Sequence, residues 1–164
     1  MNKILILLVF LACTFSSFAQ HGKRLYDSSA NAEKDIAAVV KKAAKENKHV
    51  LVMGGGNWCI WCLRFNEFIT TDPQLDSIVK ADYIIYHLNF SKENKNEATF
   101  AKYGFAQRFG FPVFMVLNEK GERIHTQNSG LLEEGKGYSK DKVMEFFKQW
   151  NRKALDPASY ASEK

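Results

Sequence analysis

The stretch His49-Val50-Leu51-Val52-Met53, closed by Gly54-Gly55-Gly56 and followed at once by Asn57-Trp58-Cys59-Ile60-Trp61-Cys62, constrains the fold more than any other part of the chain. A short apolar, β-branched run reads as a strand covered on both faces, as in a sheet sandwiched between helices. Cys62, Phe65, Phe68 and Ile69 then recur at helical spacing, which predicts a helix from the cysteine pair to about Thr70. A strand that feeds directly into such a helix calls for a helix layer packed on a sheet. The three glycines lack the Lys-Ser/Thr that a phosphate-binding loop requires. They are expected to end the strand and to form a mobile loop open to a substrate backbone.

Helical and strand patterns alternate on either side of this centre. Ile36, Val39, Val40, Ala43 and Ala44 place a helix from Asn31 to about Asn47, with Glu33 and Asp35 in the first turn, where the helix dipole favours acids. Asp72-Pro73 reads as an N-cap followed by proline at the first helical position, opening a short helix with Leu75, Ile78 and Val79 inward. Residues 83–90 are the most strand-like run of the chain and are expected at the centre of the sheet. A helix through Phe100 and Tyr103 stops at Gly104, and residues 113–117 and 122–127 flank the turn Asn118-Glu119-Lys120-Gly121 as a hairpin. Ser139 is placed to cap a last helix with Val143, Phe146, Phe147 and Trp150 on one stripe. The predicted class is α/β, a central mixed sheet flanked by helices on both faces.

The length of 164 residues suits one domain, and 46% hydrophobic with 25% charged residues excludes a disordered or collagen-like chain. Lys3, the apolar run from Ile4 to Ala12 and the small residues Ser17 and Ala19 predict a signal peptide over residues 1–19, cleaved after Ala19. The run falls short of the ~20 apolar residues that span a bilayer, so no membrane span is expected. Lipid attachment at Cys13 is the alternative. Residues 20–30 then read as a flexible leader or short edge strand, 31–154 as the domain and 155–164 as a frayed polar tail. The formal net charge of +5 is spread without a Lys/Arg stripe, which argues for solubility rather than a nucleic-acid partner. Of the three cysteines, cleavage leaves Cys59 and Cys62.

Residues three apart on a helix sit roughly 5 Å apart, within the span of a disulfide. The pair can therefore pass between dithiol and disulfide with little backbone movement. With Cys59 at the helix start, its sulfur faces free N–H groups and the positive end of the dipole, which favours thiolate. Cys62, one turn inside, stays protonated and shielded. That asymmetry makes Cys59 the attacking thiol and Cys62 the one that resolves the mixed disulfide. A structural disulfide closing so short a loop would stabilise the chain weakly. A metal site would have to draw on His21, His49, His87 or His125, none at finger-like spacing.

The Trp58-Cys59-x-x-Cys62 motif after a buried strand, with Gly110-Phe111-Pro112 leading into another, resembles the thioredoxin superfamily over about residues 33–152. Among its members the chain looks most like exported bacterial proteins of the thiol:disulfide interchange type, which implies a periplasmic location. The resemblance implies a thioredoxin-like fold, catalytic Cys59 and Cys62, and a cis-proline at Pro112 facing them. Trp58, Trp61, Phe111 and Pro112 would then bind substrate, with Phe111 offering its backbone to an extended peptide.

Two departures stand out. The buried acid frequent in the family falls on Met53, and the lysine often paired with it falls near His87. His87 is accordingly a candidate for proton transfer at Cys62, or simply a hydrogen-bonded residue of a strand. Ile60 and Trp61 between the cysteines add no positive charge, which leans toward a reductase or isomerase. The expected activity is disulfide exchange with thiol- or disulfide-bearing proteins or peptides, with a separate redox partner protein and no organic cofactor or metal. The competing reading is a peptide-binding chaperone or adaptor with little redox turnover; metal handling through the cysteines and a histidine is a third.

Overall fold

The computed structural model describes residues 24–161, so the signal peptide expected over residues 1–19 lies outside the described residues. Helix α1 (Ala32–Lys45) leads into strand β1 (His49–Gly55), followed by α2 (Ile60–Thr71), α3 (Pro73–Asp82) and β2 (Tyr83–Asn89). Then come α4 (Glu97–Lys102), the hairpin β3 (Val113–Leu117) and β4 (Arg123–Asn128), the two-residue strands β5 (Glu133–Glu134) and β6 (Gly137–Tyr138), and α5 (Lys140–Gln149). The main sheet runs β2-β1-β3-β4. β1 is parallel to β2 and antiparallel to β3, and β3 is antiparallel to β4.

Side-chain alternation along the two central strands builds two cores. Leu51 and Met53 of β1 with Phe114 and Val116 of β3 face α2, α3 and α5, packing on Phe65, Ile69, Leu75, Val79, Phe146 and Phe147. Val50 and Val52 with Val113, Met115 and Leu117 face the opposite way, against Ile36 and Ala43 of α1 and Phe100 of α4. Every residue of β1 and β3 is buried, which is why both read as unbroken apolar runs. The α/β architecture with helices on both faces is thus observed.

Three expectations are corrected. β2, expected at the centre, is an edge strand: it pairs with β1 alone, and its apolar character serves α1 and α3, which pack on it. β1 does not end at Met53, because Gly54 and Gly55 continue it, opposite Leu88 and Asn89 of β2. A Cβ on Gly55 would lie 2.5 Å from Cys62 Sγ and 2.9 Å from Tyr26 Oη. The missing side chain therefore makes room for neighbours within the chain, not for a substrate in a loose loop.

The third correction concerns the leader, whose described part is packed. Tyr26 is 1% exposed. Its N–H donates to Asn57 Oδ1 at 3.1 Å, and Asn57 Nδ2–H donates back to its carbonyl at 2.7 Å. Asn94 Nδ2–H donates to the Ser28 carbonyl at 3.1 Å, fixing the same segment to the loop after β2. A large ring that finds a site in the core overrides the polar character of the residues around it. In the tail, Asp156 caps a short 3-10 turn over Pro157–Tyr160, and Tyr160 Oη–H donates to the Ala154 carbonyl at 2.8 Å.

Gly55→Ala should destabilise the oxidised protein by about 1–3 kcal/mol, because the added methyl drives into a sulfur and a buried ring. Gly137→Ala, with nothing within 4 Å of the new Cβ, is expected to stay within about 0.5 kcal/mol of wild type. Urea denaturation of the two variants compares them, and equal midpoints would contradict the packing at Gly55.

Candidate active site

β1 and β2 run parallel and end together, with Phe90 N–H donating to the Gly55 carbonyl at 2.6 Å. The chain turns through Gly56, Asn57 and Trp58 at this edge and enters α2 with Cys59 as its N-cap. Cys59 holds extended backbone angles, φ −92° and ψ 100°, and its Sγ accepts the N–H of Cys62 at 3.2 Å. Sulfur here takes the place that a serine or aspartate oxygen fills at most helix starts. The first turn of α2 carries no acidic residue to offset the dipole. On reduction this environment favours the Cys59 thiolate.

Cys59 and Cys62 are joined as a disulfide with Cα atoms 5.2 Å apart. Cys59 keeps 5% exposure and Cys62 none, so the outward sulfur is the one at the helix cap. The Phe111–Pro112 peptide is cis, and Phe111 packs against the cluster of Tyr26, Cys59 and Cys62. Trp58 meets Phe111 edge to face at 5.7 Å, while its Nε1–H donates to the Phe90 carbonyl at 2.6 Å. Phe90 in turn lies 4.8 Å from Phe111.

These contacts draw Trp58, Phe90 and Phe111 into one apolar rim beside the sulfurs. Trp58 remains 61% exposed and Ile60 54%. A cleft of about 440 Å³ opens along Trp58 and Phe90, bounded also by Ser91, Lys92, Glu93 and Lys95. A larger cleft, about 650 Å³, lies between α1, α4 and the β3–β4 turn and includes no residue of the sulfur cluster.

Trp61 differs from Trp58. Its ring packs at 5.7 Å against Tyr138 of β6, whose Oη–H donates to the Trp61 carbonyl at 3.1 Å, and the Arg64 guanidinium lies 5.3 Å over its indole. It walls the cysteine cluster from the hairpin side rather than offering an open face.

On the inner side of the sulfurs the surroundings are uncharged. Met53 of β1 stands opposite His87 of β2 in the parallel register. The His87 Nε2–H donates to Asn66 Oδ1 at 3.1 Å, its ring meets Tyr26 edge-on at 5.3 Å, and burial pushes its pKa down to about 4. Tyr26 Oη is enclosed without a hydrogen-bond partner among the described residues, and burial raises its pKa above the ordinary phenol range.

Sequence reasoning missed Tyr26, its clamp Asn57 and the rim residue Phe90. Only Phe90 carried a signal, as the end of a strand-like run. Among the described residues no three His, Cys, Asp or Glu side chains are grouped to hold a metal ion, and no helix is long and apolar enough to cross a membrane.

Comparison with known proteins follows the same lines. A thioredoxin-like domain family model matches residues 36–136. A search of curated proteins found no match. Among solved structures, a disulphide isomerase from Xylella fastidiosa Temecula1 superposes with a TM-score of 0.66 at 20% identity, over 76% of this chain and 94% of that one. The C-terminal domain of Neisseria meningitidis DsbD in its oxidised form gives 0.50 at 22% identity, over 75% and 97%. A thioredoxin from Thermus thermophilus gives 0.52 at 16% identity, over 77% and 90%. With the family model spanning most of the described fold and the Cys59–Cys62 pair set at the start of α2, the chain belongs to the thioredoxin-like domain family, within the thioredoxin superfamily of thiol:disulfide proteins.

Proposed function

We propose that the protein is an exported thiol:disulfide oxidoreductase, working as a reductase or isomerase on proteins and peptides that carry thiols or disulfides. The observation that carries this reading is the Cys59 sulfur at the α2 N-cap, accepting a backbone N–H and bonded to a fully buried partner one turn on. In the reductive direction the Cys59 thiolate attacks a substrate disulfide, forming a mixed disulfide and releasing one substrate thiolate. The Cys62 thiolate then attacks Cys59 Sγ, closing the internal disulfide and releasing the second substrate thiolate. Two electrons pass to the substrate, and the protons lost by the two cysteines balance those taken up by its thiols.

The two sulfurs hold both electrons, so the exchange requires no organic cofactor or metal, but a separate redox protein must restore the dithiol. Phe111, packed against the cysteine cluster, and Pro112 beside it in the chain support docking of an extended substrate backbone, with Trp58 and Ile60 as the apolar contact surface. Export, and with it the periplasmic placement proposed here, is supported by the basic start, apolar run and small residues of positions 1–19.

Cys59→Ser should abolish turnover of a disulfide-linked substrate, by about 10³-fold or more, whereas Cys62→Ser should accumulate a covalent mixed disulfide through Cys59. Non-reducing gels and insulin-reduction rates read both outcomes. Negligible turnover by the wild type itself, with peptide binding intact in both variants, would favour the chaperone reading instead.

His87 is a weak proton acceptor at neutral pH and bonds Asn66 rather than a sulfur. An imidazole kept neutral in the fold, but protonating near its ordinary value of about 6.5 when unfolded, makes the unfolded state bind the extra proton between the two values. Stability is therefore unaffected by this group above about pH 6.5 and falls as pH drops from there to about 4. His49 and His125 are shifted the same way by burial. His87→Gln should remove part of this acid loss, on the order of 2 kcal/mol at pH 4, in urea melts at stepped pH. The same variant should leave the pH profile of disulfide reduction above pH 6 unchanged; a displaced profile there would make the imidazole the proton carrier for Cys62.

A further inference from the structure

The exchange chemistry leaves one buried donor unused. Tyr26 Oη is enclosed and unpartnered among the described residues, a condition that native folds rarely tolerate without a reason. Tyr26 shares a contact cluster with Cys59 and Cys62. Its hydroxyl and Cys62 Sγ converge on the vacant Cβ position of Gly55, 2.9 and 2.5 Å from that point. Both atoms therefore crowd the same point beneath the end of β1, within the contact cluster that Tyr26 shares with Cys62. Asn57 clamps the Tyr26 backbone from both sides, and His87 packs edge-on against its ring, so the phenol is held in this orientation.

A disulfide sulfur is a poor hydrogen-bond acceptor and a thiolate is a strong one. In the oxidised state the Cys62 sulfur is only this weak acceptor, and the hydroxyl stands unpartnered among the described residues. We infer that Tyr26 donates its hydroxyl hydrogen to the Cys62 sulfur in the dithiol and mixed-disulfide states, stabilising the resolving thiolate and biasing the pair toward reduction. This rests on the disulfide-exchange reading above and adds to it the group that tunes the second step.

In that step the S–S bond between Cys59 and the substrate breaks, the Cys59–Cys62 bond forms, and the substrate sulfur leaves with the electron pair and takes up a proton from water. Tyr26 keeps its own proton throughout, and burial holds its phenol protonated over the working pH range. The titratable groups around it are His87 from β2, neutral above acidic pH, Tyr138 from β6, which raises its pKa further, and the cysteines of α2.

The test compares wild type and Tyr26→Phe in the Cys59/Cys62 equilibrium with glutathione. It also compares Cys62 ionisation, followed by thiolate ultraviolet absorbance, in a Cys59→Ser background with and without Tyr26→Phe. The phenylalanine variant should shift the equilibrium about tenfold toward the disulfide, about 30 mV more negative, and raise the Cys62 pKa by about one unit. Because the hydroxyl is unpaired in the disulfide, oxidised Tyr26→Phe should melt no lower than oxidised wild type, while the reduced variant melts lower than reduced wild type.

Unchanged glutathione equilibrium and Cys62 ionisation, in a variant that exchanges normally, would overturn the inference and leave the exchange reading intact. An oxidised variant that melts well below wild type, or fails to fold, would also overturn it, since the hydroxyl would then have a partner in the disulfide state. Wild-type protein that exchanges with neither glutathione nor a protein disulfide would instead sink the exchange reading itself.

Discussion

A sulfur caps the helix on which this site is built, and the remaining geometry follows from that substitution. At most helix starts a side-chain oxygen satisfies one of the free N–H groups, and the capping group has no chemistry to lose. Here the acceptor is Cys59 Sγ, so the group that completes the helix is also the group that ionises and attacks in the proposed exchange. The hydrogen bond from the Cys62 N–H is worth more to a thiolate than to a thiol. Helix formation and thiolate formation therefore favour one another, and an acidic residue in the first turn, helpful at an ordinary N-terminus, would work against the anion.

Placing that cap requires β1 to be rigid to its last residue. Its burial on both faces, by α2, α3 and α5 on one side and α1 and α4 on the other, fixes the strand within two cores at once. Gly54 and Gly55 extend the strand by two residues into a region where any side chain would collide with Phe100, Val113, Cys62 or Tyr26. The sheet can thus deliver the backbone to within contact of the buried sulfur. The cis Phe111–Pro112 segment leads directly into β3, the antiparallel neighbour of β1, so both walls of the site hang from adjacent central strands.

Features encoded locally were legible. The cysteine pair at helical spacing, the Asp72-Pro73 helix start, the β3–β4 hairpin and the stripe of α5 each depend on residues within a few positions, and the structure has them where the pattern puts them. Features set by distant pairing were not. Nothing in residues 83–90 distinguishes an edge strand covered by two helices from a central one, because both bury apolar side chains. β5 and β6 are two residues each, too short for a period to show. Tyr26 follows Leu25 in an otherwise polar stretch too short to show a period, and its place beneath the sulfurs depends on Asn57 and the Asn94 loop, 31 and 66 residues downstream of the backbone groups they bind.

The inner side of the site also decides how protons can move. The position where the family often carries an acid holds Met53, and its cross-strand neighbour His87 is pushed down to about 4 by burial alone. Neither group can accept a thiol proton near neutrality. An internal relay would need a base with a pKa close to that of the thiol it serves. Without one, neither Met53 nor His87 carries the proton of Cys62 inward. Closing the Cys59–Cys62 bond needs an acceptor for two electrons, so on the proposed exchange resolution waits for a mixed disulfide at Cys59. A hydrophobic floor with a single hydroxyl donor stabilises the anion without offering it a route inward.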